Sequence, residues 1–599
     1  MRRLRVWQIA VAIAAGLLAG LAHAGLLTVL IDSTAIAALG GADETASGLV
    51  IHLALSALMG IAYAWLFKPS SVSYAETLMS GLTYGLFWWV LLSLNLTPIL
   101  MSEGPQWEVE AAASAFPFLI GYILQGAIVG LGYHFLSVVA VFWLAALDER
   151  VDGLKPRPVQ NRIVIVGGGF AGVTTAQHLE RLFARDEDAT ISLISNTNHL
   201  LFTPMLSEVT AGSVEAQHIS TSLRAFFRRT QVIRAEVEAV DFSERMVRLA
   251  ARGGLTRPSV PFDHLVLAIG AASNFFGLQR VEAQAFTFKS LEDATLLRNH
   301  VIEMLERADA EPDAERRKTL LTFVVVGGGF AGTELIGGLN DFVRGSLWFY
   351  PNISPEEVAL ILVQSGERIL AELGSELAEY AYEKLKTRGV TFKLRSRVVD
   401  AVPGTVILSS GETIPSETLV WTAGNSPHPL IRRLGPGVDA GGAVKTEATL
   451  RVAGHSNVWA VGDCADILDS RTGKRCPRTA QHALRQAVTL AHNIHAVIRG
   501  GEAIPFSYRS LGSFAVLGYH TACAEIYGLR FSGLFAWWLW RTIYLAKLPT
   551  LEKKIRVALD WMVDLFFPRD IVQTMSLRHS TKGGEALARS VEGYVHARR

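Results

Sequence analysis

A chain of 599 residues exceeds one hydrophobic core; at about 100–200 residues per domain it holds three or four. Half of the residues are apolar and only 19% are charged, below the roughly 25% of ordinary soluble domains, so part of the chain should meet lipid. A net charge of +1 makes no case for nucleic acid, and three cysteines without C-x-x-C spacing exclude a disulfide framework, a thiolate metal site and a dithiol redox pair.

The apolar excess is concentrated before residue 148. Runs at Val6 to Ile31, Ala46 to Phe67, Thr77 to Met101 and Phe116 to Leu144 are each long enough to span a bilayer as a helix. Arg2, Arg3 and Arg5, then Lys68, then Arg150, Lys155 and Arg157 flank them on one side, with Asp32, Asp43, Glu44, Glu103, Glu108 and Glu110 in the alternate loops. The positive-inside rule then gives a multi-pass domain (1–147) with both ends cytoplasmic. A cleaved signal peptide competes for the first run, through Ala22-His23-Ala24, but the run continues past that point to Ile31. His23, His52 and His134 lie in or near the spans; a bis-histidine haem, a quinone contact and plain packing are the three readings, and packing is the simplest. Residues 148–160, with Pro156 and Pro158, read as a linker.

Beyond the linker, Ile163 to Val166 is a β-type run that empties into Gly167-x-Gly169-x-x-Gly172 and a helical stretch. The first glycine permits a tight turn, the second lets backbone approach a pyrophosphate, and the third lets helix and strand pack closely. Phe323 to Gly332 repeats the pattern with Gly327, Gly329 and Gly332, so two dinucleotides are expected. The second strand of the first unit, Thr190 to Ile194, is followed by Ser195 and Asn196 where a ribose-binding acid usually stands. In the second unit Leu360 to Val363 precedes Gln364, and an amide does not repel a 2′-phosphate; with Arg368 nearby, selectivity for NADH over NADPH should be weak. Asn457 to Asp463 is a further strand that delivers an aspartate to the sheet edge, and Arg478 to Ile494 reads as a helix. Phe531 to Lys547 is too short and too charged to span; with Ile555, Leu559, Met562 and Phe566 at helical spacing and four tryptophans, it reads as a monotopic membrane dock.

Asn198 to Gly212, Phe262 to Gly277, Phe288 to Asn299, the second fingerprint with Glu334, Ala460 to Ala465 and Ala480-Gln481 together resemble the type II NADH:quinone oxidoreductases, also called alternative NADH dehydrogenases. The resemblance covers about residues 160–575 and not the four spans. It implies an α/β fold of tandem Rossmann domains like that of the flavoprotein disulfide reductases, between an all-α transmembrane domain and docking helices. An FAD domain (161–287 and 416–500) would be split by an NAD(P)H domain (288–415), with the dock at 501–578 and a polar tail at 579–599. It further implies non-covalent FAD, hydride transfer from NADH or NADPH, and two-electron reduction of a membrane quinone without proton pumping. Gly167, Gly169, Gly172, Ser195 and Asp463 would hold FAD, and Gly327, Gly329, Gly332 and Gln364 the nicotinamide nucleotide. Glu334, expected in the first turn of its helix, would assist proton delivery to quinone; Ala480, Gln481 and Gln486 would mark the flavin and quinone site, although Arg485 departs from the family pattern. The expected setting is the cytoplasmic membrane, with quinone and lipid as partners, no metal and a homodimer left open. A sulfide:quinone oxidoreductase, or a flavin redox sensor governing the spans, are the alternatives.

Overall fold

The computed structural model describes residues 2–30, 45–67, 74–100, 116–148, 161–184, 186, 188–251, 259–435 and 437–573. The loop charges between the spans, the linker and the polar tail lie outside the described residues. The chain forms two compact units, Met1–Lys155 and Pro156–Arg599.

The first unit is all helix: α1 (Arg2–Leu30), α2 (Thr45–Phe67), α3 (Tyr74–Leu91) and α4 (Phe116–Asp148). α1 packs on α2 and α4, and α3 on α4. Three helices carry uninterrupted apolar stretches long enough to cross a membrane, Ile9–Leu26, Leu49–Phe67 and Phe118–Ala140. The expected third span is the exception. Its α-helical part is shorter, and the chain runs on through a π-turn at Leu92–Leu96 into Thr97–Leu100. Pro98 has no N–H to continue the ladder, and the Asn95 amide donates to the Val90 carbonyl at 2.8 Å, five residues back, so the turn widens. Close approach between helices rests on glycine: a methyl added at Gly16, Gly60, Gly81 or Gly126 would collide with the backbone carbonyl of Ser56, Ala12, Gly126 or Gly81 respectively. The His23 and His52 rings are tilted against each other at 54° with centroids 5.2 Å apart, and His52 Nε2 donates to the Gly20 carbonyl at 3.1 Å. His134 lies edge-on to Tyr74 at 4.3 Å.

The second unit is built on two parallel sheets. Their strands, in chain order, are β1 (Asn161–Val166), β2 (Ala189–Ser195), β3 (Gln231–Arg234), β4 (His264–Leu267), β5 (Phe286–Thr287), β6 (Thr322–Val326), β7 (Ala359–Val363), β8 (Val390–Lys393), β9 (Thr418–Trp421) and β10 (Val458–Ala460). The first sheet runs β10-β4-β1-β2-β3 and the second β5-β9-β6-β7-β8. Every pairing in both is parallel, with Ile163 between Ile191 and His264, and Val324 between Ile361 and Leu419. The continuous apolar runs Ile163 to Val166 and Phe323 to Val326 are buried because parallel sheets are covered on both faces. β5 and β9 belong to the second sheet, which takes its strands from between Phe286 and Trp421.

After the first sheet come α5 (Phe170–Leu182) behind β1 and the short α6 (Leu206–Thr210); α7 (Leu291–Ala310), capped by Ser290 and Asp293, leads to the second sheet and α8 (Phe330–Ser346) behind β6. α9 (Ala480–Ile498) packs on α5. The C-terminal region adds an antiparallel sheet, β11 (Gly512–Val516), β12 (Ala522–Ile526) and β13 (Leu529–Ser532), then the hairpin α10 (Gly533–Lys547) and α11 (Leu551–Phe566).

Candidate active site between the two nucleotide sheets

Both glycine turns sit at the C-terminal edge of the central strand of their sheet. Gly167 adopts φ +121° and Gly327 φ +110°, and each donates its N–H to the neighbouring strand, to the Ile194 carbonyl at 2.8 Å and the Val363 carbonyl at 2.9 Å. A methyl on Gly172 would strike the Gly167 carbonyl, as one on Gly332 would strike that of Gly327. Gly169 and Gly329 are the N-caps of α5 and α8. Neither position is crowded: nothing lies within 4 Å of a methyl on Gly169, and only Glu372 Oε1, at 3.9 Å, near one on Gly329. Fold packing therefore explains the outer glycines, whereas the middle ones keep open the space in front of a positive helix end, where an anion binds.

A cavity of about 620 Å³ opens on the first turn and is lined by Gly167 to Ala171, Ser195, Asn196, Lys289, Asp463 and Ala480 among others, within the usual range for cofactor sites. Ser195 closes β2 and is buried, its Oγ 3.3 Å from Thr197 Oγ1. Asp463 accepts from Asn425 Nδ2 at 3.4 Å; burial raises its pKa, while Asn425, Lys289 and Arg478 pull it down. Lys289 donates to Asn425 Oδ1, and burial lowers its pKa against the attraction of Asp463. Lys289 and Asn425 were not singled out in sequence, although Lys289 lies inside Phe288 to Asn299; only the fold brings them to Asp463. This cavity has the features an FAD site needs: glycine turn, helix end, ribose-edge hydroxyl and polar groups at the far end.

On the second turn Gln364 follows β7 as expected, and its Oε1 accepts from the Gly328 N–H at 2.9 Å. The exposed Arg368 donates to the Ala371 carbonyl. Ala480 lines the large cavity, and α9 begins there with Thr479 as its cap. Gln481 accepts from Ser510 at 3.4 Å. Gln486 is 2% exposed and its Oε1 accepts from the Gly462 N–H at 3.0 Å, which ties it to the loop bearing Asp463.

Glu334 lies in the second turn of α8, not the first, which weakens the helix-end explanation for a carboxylate there. Its Oε1 accepts from the Val516 N–H of β11 at 3.2 Å. Burial pushes its pKa up to about 8, with the Glu208 charge adding and the Val516 hydrogen bond opposing. Tyr544 of α10, also raised by burial and by Glu334, contacts Phe202, Phe514 and Trp540, and Phe202 in turn touches Phe170 at the first glycine turn. An aromatic wall thus runs from the first nucleotide turn to the C-terminal hairpin beside a carboxyl group that is largely protonated at neutral pH. Cys464 and Cys523 are buried and bonded to the Leu267 and Leu377 carbonyls.

The pyridine nucleotide-disulphide oxidoreductase family matches residues 161–487, and the NDH2 C-terminal domain matches residues 510–570. A probable NADH dehydrogenase of Dictyostelium discoideum is 32% identical over 68% of this chain and 90% of its own length. The type II NADH:quinone oxidoreductase Ndh of Mycobacterium tuberculosis is 31% identical over 69% of this chain and 89% of its own. The solved structure of NDH2 from Plasmodium falciparum in complex with NADH superposes with a TM-score of 0.64 at 19% identity, over 69% of this chain and all of that one, a likeness of fold.

Proposed function

The chain belongs to the type II NADH:quinone oxidoreductase family, and from that membership we propose that it is a membrane-bound, FAD-dependent enzyme that passes two electrons from NADH or NADPH to a membrane quinone. The observation that carries the reading is the position of Glu334: it stands on the helix of the nicotinamide turn, is bonded to the C-terminal sheet, and adjoins the aromatic wall that reaches the first glycine turn.

FAD, held non-covalently, would supply the hydride acceptor and two-electron donor. Gly167, Gly169 and Gly172 would bind its pyrophosphate through backbone N–H groups, Ser195 would stand in for the usual acid at the ribose, and Asp463 with Lys289 and Asn425 would supply further polar contacts. Gly327, Gly329 and Gly332 receive the nicotinamide nucleotide. Gln364, whose Oε1 accepts from the Gly328 N–H, carries no charge to repel a 2′-phosphate, so selectivity for NADH over NADPH is weak. Ala480 at the start of α9 places a positive helix end toward the flavin cavity, and Gln481 marks its quinone side. Glu334, protonated at neutral pH, donates a proton as quinone is reduced.

Quinone arrives from lipid. Leu534, Phe535, Trp538, Met562 and Phe566 of the hairpin are exposed, a face suited to the headgroup boundary. Family membership carries the further reading that the reaction pumps no protons, with the apolar helices of the first unit inserted in the cytoplasmic membrane. Anaerobic titration of the reconstituted protein with NADH and then a quinone tests the reading by flavin absorbance: bleaching followed by recovery is expected, and no bleaching would remove it.

A further inference from the structure

Quinone reduction on this scheme has an unmet proton requirement. NADH gives up a hydride, two electrons with one proton, whereas quinol carries two electrons and two protons; the balance NADH + H⁺ + Q → NAD⁺ + QH₂ draws one proton per turnover from solvent. Glu334 is surrounded by protein yet keeps part of its surface accessible, as a side chain lining an internal space does. That space is a cavity of about 20 Å³ lined by Glu208, Glu334, Asp341, Tyr519, Arg541 and Asp564, and a polar void larger than about 10–15 Å³ holds one water.

The charges around it are ordered by one another. Arg541 lies over the Trp537 and Trp561 rings at 3.9 and 4.6 Å, Asp564 pairs with Arg569 at 3.0 Å, and Asp341 pairs with Arg388 and accepts from the Tyr519 N–H. Tyr519 is 48% exposed, so the lining reaches the surface there. Glu208, on α6, accepts from Trp561 Nε1 at 2.8 Å and Ser213 Oγ at 3.1 Å; both bonds fall on Oε2. With Glu334 it is one of two carboxylates on the cavity that form no arginine salt bridge among the described residues, and its charge acts on both Arg541 and Glu334.

We propose that Glu208 is the relay that resupplies Glu334: it takes a proton from solvent at the Tyr519 side and passes it through one cavity water. The Glu208 carboxylate gains an O–H bond; that bond breaks as its proton moves to the water, the water gives one of its own to the Glu334 carboxylate, and Glu208 returns to its charged form. No electrons move. Glu208 touches no substrate and acts through Glu334. This inference rests on the quinone-reducing role proposed above.

The full-length protein in detergent, mixed in a stopped-flow instrument with NADH and then with a short-chain ubiquinone analogue, separates flavin bleaching from reoxidation. Glu208→Gln keeps an acceptor oxygen for Trp561 and Ser213. Bleaching should stay within about twofold, while reoxidation slows by about tenfold or more, the lower end of general acid catalysis. Glu334 is faced by Glu208, Tyr544, Asp341, Arg541, Asp564 and Arg569; removing the Glu208 charge should move the alkaline limit of reoxidation to lower pH. Glu208→Asp keeps the charge and should slow reoxidation less, with the limit unmoved. Unchanged reoxidation and pH limit in Glu208→Gln, or equal slowing in both variants, would overturn the relay. If Glu208→Gln loses flavin, Glu208→Asp decides alone: slowing confined to reoxidation supports the relay, and slowing of both phases or neither overturns it. Failure of the unsubstituted protein to bleach or recover would instead overturn the enzyme reading, and the relay with it.

Discussion

At single positions, the outer and middle glycines of each turn separate two kinds of necessity. A β-carbon at Gly169 has no protein atom within 4 Å, so the penalty of a side chain there is expected to fall on the ligand. Gly169→Val should yield a folded protein without flavin, whereas Gly329→Val should keep flavin and raise the KM for NADH; absorbance per protein and initial rates check both, and flavin loss in Gly329→Val would mean the two sites are assigned backwards. At Gln364, the ratio of kcat/KM for NADH over NADPH should stay below about a thousandfold, equivalent to ~4 kcal/mol, and Gln364→Glu should raise it by restoring a charge that repels the 2′-phosphate. For Glu334 the sign is set by its raised pKa: the proton donor is present below about pH 8 and lost as pH rises through it. Glu334→Gln should slow quinone-dependent reoxidation by about a hundredfold and abolish that pH limit while NADH still bleaches the flavin. The glycines, Ser195 and Gln364 could be placed because spacing after an apolar run fixes where they fall on a strand or helix, whereas Glu334 was picked out by the family resemblance and expected one turn too early. Lys289 and Asn425 were not, since 136 residues separate the two partners. Nor was the bond from the Gly462 N–H to Gln486, because an amide inside a helix looks the same in sequence whether or not it meets a loop N–H.

Among elements, the long buried strands and their following helices could be read from composition, but the short ones could not. β5 is two residues long and β9 four, too few to show a period, yet they complete the second sheet. The π-turn at Leu92–Leu96 had its cause in Asn95 and Pro98, but hydropathy averages over both. The C-terminal hairpin, proposed as a dock, exposes large apolar side chains: Trp538 is 57% and Phe566 78% accessible. Trp538→Glu with Phe566→Glu should leave reduction of a water-soluble short-chain quinone within about twofold while lowering turnover with a long-chain quinone in liposomes, because only the second substrate must enter from lipid. Equal loss with both quinones would show that the face serves folding instead.

On the scale of the whole chain, two separate cores imply two separable functions. A chain beginning at Pro156 should fold, hold flavin and be bleached by NADH, but wash off membranes at alkaline pH where the full chain stays; flavin content and pelleting measure this. Retention equal to the full chain would place the anchor in the hairpin alone. The first unit owes its compactness to backbone meeting backbone at Gly16, Gly60, Gly81 and Gly126, where no side chain can yield. Inherited or engineered changes there would therefore be read by the cell's quality control before any kinetic assay: Gly60→Val or Gly126→Val should deplete the protein from the membrane through proteolysis, while each surviving flavin turns over at its ordinary rate.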